Sequence, residues 1–435
     1  MTPPRRSWRS PATGPSNSAA AVTSPGPAPV AVVGAGVKTP AGNSAGELWE
    51  NLCAGRPTAE VFADGRLPPG TAALVCRVSG FDPAAYLTRV EVRRLDRSHA
   101  LAIGAAADAL GQCGELPAPA RRAVVCGIGL GAAATYEEQV SGLLERGVRG
   151  VSPLTIPMVM PSSVAAHLSL RFGFAGPCVT VSAACASGAA AIGEGAELLR
   201  RGAADVVLAG GVDSLVNYGA MCCFMRLDAM SHNVGSPELA SRPFDADRDG
   251  FVMGEGAGFV ILQRLEDVSP SGPEPLGLVL GHASSADAHH LVAPSPDGEG
   301  AVRCMALALA DAGVQPGDVG HVNAHGTSTV LNDRAEAAAL TALFAGSCPP
   351  VTAVKGSTGH MIAGSGAVEA IVSLASLRHR LLPPVAGLRT IGPDLGLDVI
   401  QDKPREAPPG YALSNSLGFG GANTALVLAA WGSAD

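Results

Sequence analysis

Residues 178–214 read CVTVSAACASGAAAIGEGAELLRRGAADVVLAGGVDS. The opening CVTVSAA (178–184) is apolar and β-branched and reads as a strand. The Ala/Gly-rich stretch 186–202 reads as a helix, and ADVVLAGGVDS (204–214) reads as a second strand. Strand, helix and strand joined by short turns imply α/β layers and a largely parallel sheet. Cys185 falls at the first of these junctions.

The same alternation runs outward in both directions. PVAVVGAGV (29–37) reads as a strand entering a glycine turn, and it lacks the third glycine and later acid of a dinucleotide fingerprint. A helix capped by Ser44 follows, then a helix over 91–112 and a strand over 123–129. A further strand is expected at 258–266 and a boundary at the Pro/Gly break 270–277. Beyond it come strand 276–284, helix 300–313, strand 319–326, helix 329–344, strand 350–356, helix 364–379 and two closing strands, 411–418 and 422–431. Two halves of similar order suggest an internal duplication.

Composition narrows the function classes. Of 435 residues 47% are hydrophobic and 16% charged, so a large core is available and general disorder is excluded. A net charge of −8 with interspersed signs argues against nucleic-acid binding. No apolar run is long enough to span a membrane. The ten Cys form no CxxC pair and the ten His no ligand-spaced pair, so a metal centre is not expected and a reducing cytoplasm is. Residues 1–28, rich in Pro and Ser, read as a disordered extension. Only three of the 30 basic residues are Lys (Lys38, Lys355 and Lys403), as a coding bias would produce. A Lys retained in such a chain points to work that a planar guanidinium cannot do.

Cys185 stands where a helix dipole would favour a thiolate, and small neighbours leave room for a substrate. His325 lies in VNAHGTST (322–329), and His360 follows Lys355 by five residues in KGSTGHMIAGSGAVEA (355–370). Singly, the Cys reads as a buried residue at a tight turn and each His as a satisfied core residue. Jointly, at strand ends beside glycines, they read as an α/β active site. A thiolate can hold an acyl group as a thioester, and two neutral imidazoles can stabilise an enolate oxygen. Glu369, nine residues past His360, is expected on the same helix as its supporting partner.

These motifs, with ACASG (184–188), SNSLGFGGANTAL (414–426), SRPFDADRDGFVMGEGAG (241–258) and RRLDRSHALAIGAAADAL (93–110), resemble those of a known family. It is the β-ketoacyl-[acyl carrier protein] synthases, the ketosynthase I/II group of the thiolase superfamily, and the resemblance covers about residues 29–431. It implies a layered αβαβα fold of two similar halves, 29–270 and 271–435. Cys185 would be the acyl-accepting nucleophile, and His325 and His360 the pair that assists malonyl decarboxylation. Lys355 would hydrogen-bond into this network with Glu369 behind it. Phe419 would be the gating aromatic, sharing an oxyanion hole with the backbone N–H of Cys185. Asp333 and Glu336 match acidic positions with a structural role, and Leu417 departs from the Phe often found there. Met158, Met160, Phe224 and Met225 are candidates for the pocket lining and read equally well as core residues.

The second histidine separates this chain from relatives that pair Cys with one His and an Asn. Thiolases carry a second Cys where this chain reads SNSLGFGG, and catalytically silent chain-length factors lack the nucleophile. The resemblance therefore implies decarboxylative Claisen condensation of an acyl thioester with malonyl carried on acyl carrier protein. No metal or soluble cofactor is implied, because substrates ride on the carrier's phosphopantetheine. The expected partners are the carrier protein and either a second copy or a homologous chain-length-factor-like subunit. Type II polyketide or polyene assembly is favoured by the coding bias and the extension. Housekeeping fatty-acid synthesis and a non-catalytic partner role are the alternatives.

Overall fold

The computed structural model describes residues 27–67 and 71–432. The 1–28 extension thus lies, up to residue 26, outside the described residues.

Ten strands form the frame. In the first half they are β1 (Val30–Lys38), β2 (Arg122–Gly127), β3 (Cys178–Val181), β4 (Val206–Ser214) and β5 (Met253–Arg264). In the second they are β6 (Gly277–Ala286), β7 (Val319–Asn323), β8 (Val351–Thr352), β9 (Tyr411–Gly418) and β10 (Ala422–Ala429). Their spatial order is β3-β2-β4-β5-β1 continued by β6-β10-β9-β7-β8. Each strand of the second half occupies the place of its counterpart five numbers earlier.

The pairing senses repeat as well. In each half the outer two pairings are parallel and the two nearest the junction are antiparallel. This corrects the expectation of a largely parallel sheet. After β4 the chain wanders through 215–252 and re-enters at the same end, pairing Glu255 with Ser214, so β5 must run back. The turn 419–421 reverses β9 into β10 in the same way. Within the sheet the halves are joined by three residue pairs, from Val30–Val279 to Val32–Gly277.

Helices complete five layers. α1 (Arg97–Leu110) and α2 (Ser163–Phe172) cover the outside of the first half, and α4 (Glu299–Ala312) and α5 (Val330–Leu343) lie on the outside of the second. α3 (Ser187–Arg200) and α6 (Ala363–His379) pack against each other between the halves. Side chains alternate along the strands between these layers. Val125, Val207 and Leu262 face the central helices, while Val124, Leu208 and Ile261 face the outer ones. That two-sided burial is why the strands read as unbroken apolar runs. At Gly188 and Gly211 the approach is so close that a Cβ would stand 2.3 Å from the carbonyl oxygen of Ala363, so α3, β4 and α6 can meet only through glycine.

Several boundaries differ from the sequence reading. The helix expected over 91–112 is two, Arg89–Arg94 and α1, because Asp96 caps α1 by accepting from the Ser98 N–H. The strand expected at 350–356 ends at Thr352, and Lys355 begins a single helical turn. β5 starts at Met253 rather than 258, its glycines having disguised it. No helix among the described residues is long and apolar enough to cross a membrane.

Candidate active site

The doubling of the fold brings the site together. Cys185 lies between β3 and α3, and His360 occupies the equivalent place between β8 and α6. His325 follows β7 and Phe419 follows β9. The N-termini of the two central helices therefore face one another across the site. Cys185 Sγ and the nearest nitrogens of His325 and His360 lie within 4.8 Å of one another, and all three residues are buried.

Cys185 follows Ala184, whose φ of 49° gives a sharp turn into α3. Its sulfur lies 3.0 Å from His360 Nε2. Backbone N–H groups of Phe419 and of Cys185 itself also point at it. Burial nevertheless pushes the thiol up to about 11, against the opposing influence of Lys355 and those N–H groups. The helix end that favours a thiolate is thus outweighed by desolvation at 5% exposure. The resting group is a thiol beside an imidazole.

Burial, reinforced by Lys355, holds both His325 and His360 well below the usual histidine range, so both rings are neutral near pH 7. They stand edge to face, with centroids 5.4 Å apart. Lys355 Nζ lies 3.2 Å from His325 Nδ1 and donates to the His325 carbonyl at 2.5 Å. A lysine donor at Nδ1 leaves the ring proton on Nε2, aimed into the site as a donor and not available as a metal ligand. Ser365 Oγ accepts from the Met361 N–H and lies 3.3 Å from His360 Nδ1. The His360 backbone is clamped to the start of β5, its N–H donating to Val252 O and its carbonyl accepting from Gly254 N–H.

Glu369 is the ion-pair partner of Lys355, and both are almost fully buried. Burial raises the Glu369 carboxyl while Lys355 opposes the rise. Glu369 lies on α6, whereas His360 precedes that helix. The expectation that the two share a helix and support each other directly is thus corrected: Met361 and Ile362 form a corner between His360 and the helix, and support runs from Glu369 through Lys355 to His325. Lys355→Arg is expected to lower condensation by about tenfold or more even though charge is kept. The wider, planar fork cannot occupy an ammonium's place in a packed site. Full activity of that variant in steady-state assays would reduce Lys355 to a bystander.

Glu336 accepts from the N–H groups of His325 (2.7 Å) and Gly326 (2.9 Å). Asp333 accepts from those of Thr327 (3.1 Å) and Phe244 (2.8 Å). Both acids are buried on α5 and fix the loop that carries His325.

A cavity of about 340 Å³ opens on the trio, with Phe419, Leu417, Phe224 and Ile362 in its wall. Of the four pocket candidates Phe224 lines it; Met158, Met160 and Met225 do not. Met160 is exposed instead, just past the end of the short helix Thr155–Val159. Two neighbours escaped the sequence reading. Phe251 stands edge-on to the His360 ring at 5.6 Å, and Asp213 is buried at the end of β4. An acid closing an otherwise apolar strand was the available signal for the second; nothing marked the first.

A thiol among backbone donors, beside two neutral imidazoles at the end of a mainly apolar cavity on a doubled αβαβα frame, defines an acyl-transferring condensing enzyme. The chain belongs to the β-ketoacyl synthase family: the models of that family's N-terminal and C-terminal domains match residues 28–268 and 276–389. It is 35% identical over 404 residues to the 3-oxoacyl-[acyl-carrier-protein] synthase 2 of Staphylococcus aureus, covering 92% of this chain and 97% of that one. The enzyme of the same name from Synechocystis is 36% identical over 411 residues, or 91% and 97% of the two chains. Among solved structures, a β-ketoacyl synthase from Burkholderia phymatum superposes with a TM-score of 0.86 at 30% identity, covering 93% of this chain and 99% of the other. AntDE:AntF, a type II polyketide acyl-carrier protein in complex with its ketosynthase bound to the hexaketide, gives 0.86 at 27%, covering 93% and 100%. The ishigamide ketosynthase/chain length factor gives 0.85 at 30%, covering 93% and 100%.

Proposed function

We propose that this protein extends carrier-bound acyl chains by two carbons, with Cys185 as nucleophile and His325 and His360 as the pair serving the malonyl half-reaction. The observation that carries this reading is the convergence of one thiol and two neutral imidazoles, with Lys355 setting the tautomer of one ring. In loading, Cys185 sulfur attacks the carrier's thioester. The tetrahedral oxyanion is held by the N–H groups of Cys185 and Phe419, and the thiol proton leaves with the carrier thiol by way of His360. In extension, the bond from malonyl to its carboxylate breaks and releases carbon dioxide. The electron pair enters an enolate whose oxygen accepts from Nε2–H of His325 and from His360, whose neutral ring has by then exchanged to its Nε2–H tautomer, with the Ser365 hydroxyl donating to Nδ1. The enolate carbon then attacks the Cys185 thioester, forming a β-ketoacyl carrier and restoring the thiol on protonation. Phe419, in a turn whose Gly420 and Gly421 have φ of 81° and 74°, is placed to gate the entrance. Incubation with acyl- and malonyl-carrier protein should yield the β-keto product two carbons longer; its absence would refute the reading.

The proposed setting is type II polyketide or polyene assembly in a reducing cytoplasm. Support comes from the structural relatives named above and from ten cysteines that are all unpaired. The acyl chain lengths that the enzyme extends test the pathway. A second chain, either another copy or a chain-length-factor-like homologue, is proposed to cover β3. This strand is a sheet edge with Cys178 and Val179 exposed, and Leu144, Val148 and Ile156 of the same half are exposed too. Sedimentation should show a species near twice 43.5 kDa, alone or with the homologue. A stable, active monomer would contradict it.

A further inference from the structure

Asp213 closes β4 in the otherwise apolar run VVLAGGVDS (206–214) and is fully buried. Among the described residues no ion pair reaches its carboxylate. It accepts instead from four backbone N–H groups: Gly129 (2.9 Å) and Ala363 (3.1 Å) on Oδ2, Leu130 (3.2 Å) and Gly131 (3.1 Å) on Oδ1. One side chain thereby joins three separate segments: the end of β4, the loop after β2 and the first residue of α6. Burial pushes its pKa up to about 6, and the four N–H groups offset much of that desolvation.

The residue before Ala363 is the one in need of restraint. Ile362 has φ 48° and ψ −114°, a conformation that glycine adopts freely and a β-branched side chain does not. Besides the Ser365 N–H, which donates to its carbonyl at 3.2 Å, two contacts hold it there. Its neighbour's N–H is bound by Asp213. Its Cγ2 is packed so tightly against Gly129 that a Cβ on that glycine would stand 2.7 Å from it and 2.5 Å from Asp213 Oδ2. Ile362 lines the cavity beside Cys185 and follows His360 by two residues. If Ala363 were released, the 360–363 corner could relax, and the His360 ring would move from its place 3.0 Å from the sulfur.

We propose that Asp213 is a positioning residue for chain extension: it holds the strained 360–363 corner and so sets where the His360 ring stands against Cys185 and the incoming malonyl group. This rests on the function proposed above. Asn in its place keeps one acceptor oxygen and turns an N–H₂ toward donors, so at least two of the four bonds are lost.

The test is a double-mutant cycle on the full chain with acyl- and malonyl-carrier protein. Asp213→Asn should lower kcat for extension by on the order of tenfold to a hundredfold, as misplacement of a catalytic group does. KM for the malonyl carrier should stay within about twofold and Cys185 loading within about threefold. In an Ile362→Gly background, where positive φ carries no strain, the same substitution should cost about threefold or less. Unchanged kcat in Asp213→Asn, or an equal loss in both backgrounds, would overturn the proposal and leave Asp213 a support of the fold. If Asp213→Asn does not fold, Gly129→Ala crowds the same tie from the other side and should lower kcat alone; full activity there would also overturn it. The iodoacetamide alkylation rate of Cys185 reads the corner without any substrate. Coupling of Asp213 and Ile362 in that rate, with no extension by wild type, would sink the proposed function and leave the tie standing. Absence of coupling in an enzyme that extends chains would do the reverse.

Discussion

Cys185→Gln is expected to reduce chain extension to background while malonyl decarboxylation continues. Without the thiol no acyl group can be loaded, and no second group at the site can form a thioester. The substituted amide still presents a carbonyl to the backbone N–H groups at position 185 and of Phe419, as a loaded thioester would. Both imidazoles remain, so malonyl-carrier protein should lose carbon dioxide at a rate within about tenfold of wild type, with acetyl-carrier protein as product. A variant that lost decarboxylation as completely as His325→Ala would end the division of labour proposed between the thiol and the histidines.

The complementary expectation concerns His325→Ala and His360→Ala. Each removes one N–H donor from the enolate oxygen, and a lost donor of this kind costs on the order of a hundred- to a thousandfold. Condensation should fall by that much in both variants, while acyl loading of Cys185, read by intact mass, remains possible. His360→Ala should slow loading more, because Nε2 of that ring faces the sulfur at 3.0 Å whereas His325 is held by Lys355. Wild-type condensation in both variants would remove the pair from the mechanism.

Much of the architecture was legible because buried strands and small-residue helices leave long periodic signals. The junction at Cys185 could be read from CVTVSAA giving way to ASGAAAIG, and the doubling from the order of elements. What could not be read depended on tertiary contact. MGEGAG (253–258) looks like a loop, yet it is the start of β5, because its glycines admit α6 and the 358–361 segment to the sheet. Asp96 looks like a residue within a helix and instead starts one, since its carboxylate reaches the Ser98 N–H.

The site divided along the same line. Cys185, His325, His360 and Lys355 announce themselves by residue type beside glycine-rich strand ends. Their protonation does not. A helix N-terminus suggested a thiolate at Cys185, but burial pushes that thiol up to about 11, because desolvation acts through every surrounding atom. The Glu369–Lys355 pair was likewise hidden by a helix boundary: spacing alone placed Glu369 with His360, and the corner at Ile362 placed it elsewhere.

The most direct test of the account is intact-mass analysis of the protein incubated first with acyl-carrier protein and then with malonyl-carrier protein. The account predicts one acyl adduct, located at Cys185, that disappears when the malonyl carrier is added, as β-ketoacyl-carrier protein two carbons longer and an equivalent of carbon dioxide appear. An adduct that never forms would leave a non-catalytic scaffold. One that forms and is discharged without carbon dioxide would leave an acyltransferase, and either result would contradict the condensing role assigned here.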